Sequence, residues 1–130
     1  MVHALADLNQ AHPADFSDAV GDTFELAPWV AEVAAARRPF VSVTALHEAM
    51  MGTVRAASRE QQLAFLRGHP DLAGKAARAG ALTDDSRREQ ASVGLDTLSE
   101  EEFARFHRLN DAYKATFGFP FIVCVRRHTR

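Results

Sequence analysis

One cysteine is all that the 130 residues contain. Cys124 has no internal disulfide partner and no second thiolate with which to share a metal, a usage that fits a reducing compartment. Its setting, Phe121-Ile122-Val123-Cys124-Val125, predicts a buried structural thiol rather than a nucleophile. No apolar run approaches the roughly 20 residues that a membrane-spanning helix needs, and the N-terminus carries no signal-peptide pattern. The chain therefore reads as cytoplasmic, without a membrane partner. Concentrated positive charge is missing too. The formal net charge is -2, the pI is about 6.3, and the basic residues are scattered apart from Arg126, Arg127 and Arg130. Phosphate neutralisation needs a basic face, so nucleic acid is excluded as a partner at this level.

Signature motifs are also absent. There is no Gly-x-Gly-x-x-Gly, no P-loop and no Gly-x-Ser-x-Gly, which removes the usual arguments for dinucleotide, nucleoside triphosphate or serine hydrolase chemistry. Six histidines are present, yet no two stand at i, i+4, and no His/Asp/Glu cluster has metal-ligand spacing. Internal repeats, low-complexity tracts and Pro/Gly-rich linkers are lacking.

What is there is ordinary globular material, 47% hydrophobic and 25% charged, long enough for one domain with a sizeable core. Leu5 and Leu8 mark a first short helix ending near Asn9. Pro13 opens a second, which turns Phe16, Val20 and Phe24 inward. Pro28 begins a third through Trp29, Val30, Val33 and Ala34, halted by Pro39. Ser42 caps a fourth in which Leu46, Met50 and Val54 repeat every four residues. Ser58 with Gln61 predicts a capping box ahead of Leu63, Phe65 and Leu66, a helix that delivers His69. A small helix is expected from Asp71 to Ala79, packing through Leu72 and Ala76 and closed by Gly80. Another follows, capped by Thr83 or Asp84 and broken by Gly94. The strongest pattern comes last: Ser99 and Glu102 form a capping box, and Phe103, Phe106, Asn110, Tyr113 and Phe117 recur at threes and fours up to Gly118. Beyond it, the run from Phe119 to Val125 changes period and is read as one short extended, buried apolar segment. Its backbone N–H groups have no strand to pair with and need another partner, for which a ligand is a candidate. The fold class is thus an all-α, single-domain multi-helix bundle with that one extended segment near the C-terminus.

Chemistry concentrates between Gly68 and Gln90. His69 stands between Gly68 and Pro70, on a corner where the residue before proline is forced out of helix. In a helix capped at Thr83 or Asp84, Ser86, Glu89 and Gln90 share one face and present a hydroxyl, a carboxylate and an amide to a small polar molecule. A plainer account fits the same residues: a histidine bonding the last carbonyls of a helix, and Ser-x-x-Glu-Gln as capping chemistry.

Three runs in order carry a resemblance. They are His69-Pro70-Asp71-Leu72-Ala73-Gly74-Lys75; Ser86-x-x-Glu89-Gln90 leading to Gly94-Leu95-Asp96; and Leu109-Asn110-x-x-Tyr113 with Phe117-Gly118-Phe119-Pro120-Phe121-Ile122. Together with Pro28-Trp29-Val30 and Arg38-Pro39-Phe40, this set resembles the 2-oxo-4-hydroxy-4-carboxy-5-ureidoimidazoline (OHCU) decarboxylases, which form S-allantoin at the end of the route from urate. The resemblance covers nearly the whole chain, residues 1–130. It implies an all-α, commonly dimeric enzyme without metal or organic cofactor. It implies His69 as the catalytic histidine and Pro70, Ser86, Glu89 and Gln90 as substrate-site residues. It further implies that the stretch Phe121, Ile122, Val123, Cys124 and Val125 binds substrate through its backbone. Members of the family continue into further helix past the position of His128-Thr129-Arg130, so those C-terminal helices are expected to be lacking here.

The chemistry so implied is self-contained. Loss of carbon dioxide leaves an electron pair that flows into the adjacent ring C=N, so the substrate is its own electron sink. The protein has to orient the carboxylate and deliver one proton to one face. Histidine suits this because imidazole exchanges protons near neutrality. His69 is assigned as general acid/base, Glu89 as a charged acceptor of two N–H groups, and Ser86 and Gln90 as the rest of the polar grip. Arg126 is a weaker candidate for the carboxylate and is read as a solvated terminal charge. From another class, a non-catalytic helical interaction module or a ureide-binding protein accounts for the same residues.

Overall fold

The computed structural model describes residues 2–74, 77 and 79–128. Every regular element among them is helical, as the all-α reading requires. In chain order these are α1 (Leu5–Gln10), α2 (Pro13–Val20), α3 (Trp29–Ala35), α4 (Val43–Ala56), α5 (Arg59–Arg67), α6 (Asp84–Ala91) and α7 (Glu100–Phe117). Short 3-10 turns cover Gly21–Thr23 and Val125–Arg127. The chain forms two compact units, Met1–Phe65 and Leu66–Arg130.

The first unit is built around α3, which packs on α2 and α4. Its inner face is Val30, Ala31, Ala34 and Ala35, and small side chains there let the neighbouring helices come close. Phe16, Phe40, Leu46 and Met50 fill the rest, with the Phe16 and Phe40 rings stacked at 6.3 Å. Phe24 is buried as expected, although α2 has already given way to the 3-10 turn at Gly21. Capping follows the sequence: Pro13 occupies the first turn of α2, the Ser42 Oγ accepts from Ala45 N at 3.0 Å, and Ser58 and Gln61 bond reciprocally.

Two polar ties do what periodicity does not predict. Asn9, read as a turn residue, lies inside α1 and exchanges two bonds with Phe40, donating to its carbonyl at 2.9 Å and accepting from its N–H at 2.8 Å. Arg38 donates to the carbonyls of Leu8, Ala11 and Ala35 and lies 4.9 Å from the Phe16 ring centroid. One guanidinium thereby satisfies orphan carbonyls at the ends of two helices.

The second unit holds α6, α7 and the segments between and after them. Ala73, Leu95 and Val125 are buried, with Leu72, Val93, Leu98, Phe106 and Val123 packed on them. The capping box of Ser99 and Glu102 is formed in both directions, at 3.1 and 3.0 Å. α7 ends at Gly118, whose φ of 80° is the left-handed conformation that glycine adopts without strain. Two expectations are corrected. Phe117 does not face the core; it is 55% exposed and meets the Tyr113 ring at a tilt, with centroids 4.5 Å apart. Residues 71–74 form a turn, not the start of a helix, and the helix expected there falls in part on Lys75, Ala76 and Arg78, outside the described residues.

Replacing Arg38 with Met keeps the side-chain length and removes the donors. Hydrogen bonds to charged groups are worth about 1.5 to 3 kcal/mol, so a loss of that size in unfolding free energy is expected from chemical denaturation. Unchanged stability would show that water replaces all three bonds.

Candidate functional site

The site is assembled within the second unit. α5 ends at Arg67, Gly68 follows, and the His69 N–H donates to the Leu66 carbonyl at 3.2 Å, which closes the last turn before Pro70 redirects the chain. α6 starts where the Thr83 Oγ1 accepts from Ser86 N at 3.3 Å. On that helix Ser86 and Glu89 are half-buried and Gln90 is buried, while Arg87 and Arg88 point outward and pair with Asp84 and Asp85. The shared face inferred from the i, i+3, i+4 spacing is therefore the inward one.

His69, Pro70, Ser86, Glu89, Gln90, Phe121, Ile122, Val123 and Val125 line one open cleft, joined by Leu72. Its free volume is about 80 Å³. With roughly 10 to 15 Å³ of such volume per water, that is room for a small ring, not for a nucleotide. In the sequence Leu72 has the spacing of a packing residue and carries no sign of a second duty.

Polar groups in the cleft differ in how they are used. The Glu89 carboxylate has no hydrogen-bond or ion-pair partner among the described residues. Gln90 is fully engaged: its Oε1 accepts from Ala73 N at 2.9 Å and its Nε2 donates to the Asp71 carbonyl at 3.2 Å. It is only 6% exposed, so its first duty is to hold the turn that follows His69. Within that turn Ala73 has φ 51°, a conformation L-residues rarely take. Gly74 is required at its end, because a Cβ there would lie 2.8 Å from the Asp71 Cβ.

The segment after Pro120 is extended but largely exposed, which overturns the expectation of a buried run. An extended chain sends alternate side chains to opposite sides. Phe121, Val123 and Val125 face an apolar cavity of about 300 Å³ that they share with Leu72, Val93, Leu95, Phe106 and His128. Cys124 falls on the other side, is exposed, and lines neither cavity, so it is not a buried structural thiol. Tyr113 anchors the start of the segment through edge contacts with Phe119 at 6.0 Å and Phe121 at 5.3 Å. None of the N–H groups of Phe121, Ile122, Val123, Cys124 and Val125 has a hydrogen-bond partner among the described residues. A row of donors and a carboxylate without partners among the described residues thus belong to one unit with a histidine at a fixed corner.

A family profile described as OHCU decarboxylase matches residues 9–130. The chain belongs to the OHCU decarboxylase family. It is 48% identical over 122 residues to the 2-oxo-4-hydroxy-4-carboxy-5-ureidoimidazoline decarboxylase of Halalkalicoccus jeotgali, covering 94% of this chain and 67% of that one. To the protein of the same name from Haloferax volcanii it is 46% identical, over 94% of this chain and 70% of the other. The Uric acid degradation bifunctional protein PucL of Bacillus subtilis is 44% identical across 97% of this chain, which spans only 25% of it. Among solved structures, an (S)-allantoin synthase superposes with a TM-score of 0.72 at 28% identity, covering 98% of this chain and 40% of that one.

The unpaired donors lead to a direct test. Val123→Pro deletes one N–H and leaves the side-chain volume similar, whereas Val123→Ala only removes apolar bulk. In folded protein, allantoin affinity is expected to fall by roughly 0.5 to 1.5 kcal/mol or more in the proline form, the net worth of one hydrogen bond, and to change little in the alanine form. Titration calorimetry alongside thermal melts measures both, and equal affinity in the folded proline variant would remove the Val123 N–H from the site.

Proposed function

We propose that this protein catalyses the decarboxylation of 2-oxo-4-hydroxy-4-carboxy-5-ureidoimidazoline to S-allantoin in urate degradation, with the cleft at His69 as its active site. The observation that supports the assignment is that one cleft is lined by His69, by Glu89, whose carboxylate has no partner among the described residues, and by Phe121, Ile122, Val123 and Val125, whose N–H groups have none among those residues either. Family membership supports the reaction, and the lining of the cleft supports the roles proposed for its residues.

The substrate's ureido and amide N–H groups meet Glu89, whose two oxygens accept a pair of charge-assisted bonds and fix the ring in one orientation. Substrate oxygens meet the backbone donors of the extended segment. Pro70, Leu72, Phe121 and Ile122 form the apolar walls, and Ser86 adds a hydroxyl. Carbon dioxide departs with its bonding pair left on the ring carbon, and the pair is delocalised into the neighbouring C=N. His69 exchanges the proton that completes the product on one face. Positioned acid/base groups of this kind contribute about 10²- to 10⁴-fold in rate. Gln90 takes part chiefly by holding the turn between His69 and Ala73.

The reading extends to a cytoplasmic enzyme acting on a small molecule, without nucleic acid or membrane, and to a homodimer. The single cysteine and the lack of a basic face support the first part, and the resemblance to a commonly dimeric family supports the second. No described helix is long and apolar enough to cross a membrane.

His69→Ala and His69→Asn are expected to lower the rate of S-allantoin formation by about two to four decades while helical content stays native. Circular dichroism follows product and fold in one experiment, and unchanged turnover would take His69 out of the mechanism. Glu89→Gln keeps shape and removes charge, so allantoin binding should weaken by roughly 1.5 to 3 kcal/mol. Equal affinity would leave Glu89 a solvated helix residue. A protein that binds allantoin without accelerating its formation would be a ureide-binding module instead.

A further inference from the structure

The turn that carries His69 into the cleft is held from outside the cleft by α7. Asn110 is 6% exposed, and its Nδ2 donates to the Leu72 carbonyl at 2.8 Å. One helical turn later Lys114 donates from its Nζ to Asp71 Oδ2 at 2.7 Å. With Gln90 on Ala73 N and the Asp71 carbonyl, each of residues 71, 72 and 73 is tied to a side chain from α6 or α7. Asn110 lines none of the cavities that His69 lines. It is buried on the helix between Phe106 and Tyr113, where an amide is costly unless its bonds are made.

We propose that Asn110, seconded by Lys114, is a positioning residue for the decarboxylation: it fixes the Asp71-Leu72-Ala73 turn and through it the aim of His69. The inference rests on His69 acting as assigned above. Three observations converge on it. The turn contains a left-handed alanine, a strained state that persists only where its surroundings over-determine it. The ties come from two different helices, so loss of any one leaves the turn attached but freer to shift. His69 is two residues from the first tied position, and Pro70 between them passes backbone displacement on with little slack. Glu89 and the donors of the extended segment are not bonded to Asn110 or Lys114, so substrate binding and the aim of His69 are separable.

The test separates them by variant kinetics. Asn110→Leu keeps approximate volume and removes the donor. A shift of about 1 Å in a reacting group costs on the order of 10²-fold, so kcat is expected to fall by about 10- to 100-fold. The allantoin dissociation constant should stay within about threefold, since the polar groups assigned to grip the ligand, Glu89 and the backbone of residues 121–125, are not bonded to Asn110 and Leu72 supplies only an apolar wall. Unchanged kcat in folded Asn110→Leu overturns the proposal. An equal loss of kcat and of allantoin affinity also overturns it, because that is general loosening of the unit. Should Asn110→Leu fail to fold, Lys114→Met decides. That side chain is 38% exposed and lines, with His69 and Asp71, a shallow cavity other than the cleft, and kcat is expected to drop by about 3- to 10-fold at constant affinity, the cost of a smaller displacement. Constant kcat there overturns the proposal. His69→Ala is run in parallel: if it retains full turnover, the assignment of His69 has failed; if it is impaired while the Asn110 and Lys114 variants are not, only the positioning role has.

Discussion

Two hydrogen bonds from one buried amide join the elements on which this site depends. Gln90 on α6 accepts from Ala73 and donates to Asp71, so the helix bearing Ser86 and Glu89 and the turn following His69 move as one piece. The energetics explain why the link has to be polar. A left-handed alanine costs roughly 1 to 2 kcal/mol, and a hydrophobic side chain at position 90 would leave the Ala73 N–H buried without a partner at about 1 to 3 kcal/mol, while the Asp71 carbonyl would keep only the bond from Gly74 N. The amide removes that penalty and adds a second bond to the Asp71 carbonyl.

The extended segment works by a different rule. Its alternate side chains enter apolar surroundings, while its N–H groups have no partner among the described residues. Aromatic contacts with Tyr113 and burial of Pro120 set where it begins, and the 3-10 turn at Val125–Arg127 sets where it ends.

Helices and caps were legible because each rests on local chemistry. Ser42, Thr83, Ser99 and the Ser58/Gln61 pair all cap as their neighbours dictate. The face shared by Ser86, Glu89 and Gln90 follows from helical geometry alone, and the ordered motifs supplied the resemblance to the OHCU decarboxylases. What was not legible depends on contacts distant in sequence. Asn9 and Arg38 satisfy backbone groups some 30 residues away. Asn110 was counted as one more member of a periodic stripe, although an amide in an apolar stripe is a signal that a bond is being made. Cys124 was judged by the apolar character of its neighbours, where alternation along an extended chain was the better guide.

Central to this account is proton delivery to one face of a substrate held in the cleft by Glu89 and the backbone of residues 121–125. Unassisted protonation of a planar intermediate has no preferred face. The most direct measurement is the ellipticity of allantoin formed in the first minutes after the ureidoimidazoline is generated in the presence of this protein. A rate above the spontaneous one with an excess of the S enantiomer is the predicted result. Racemic product appearing at the spontaneous rate, with the protein folded, would contradict it.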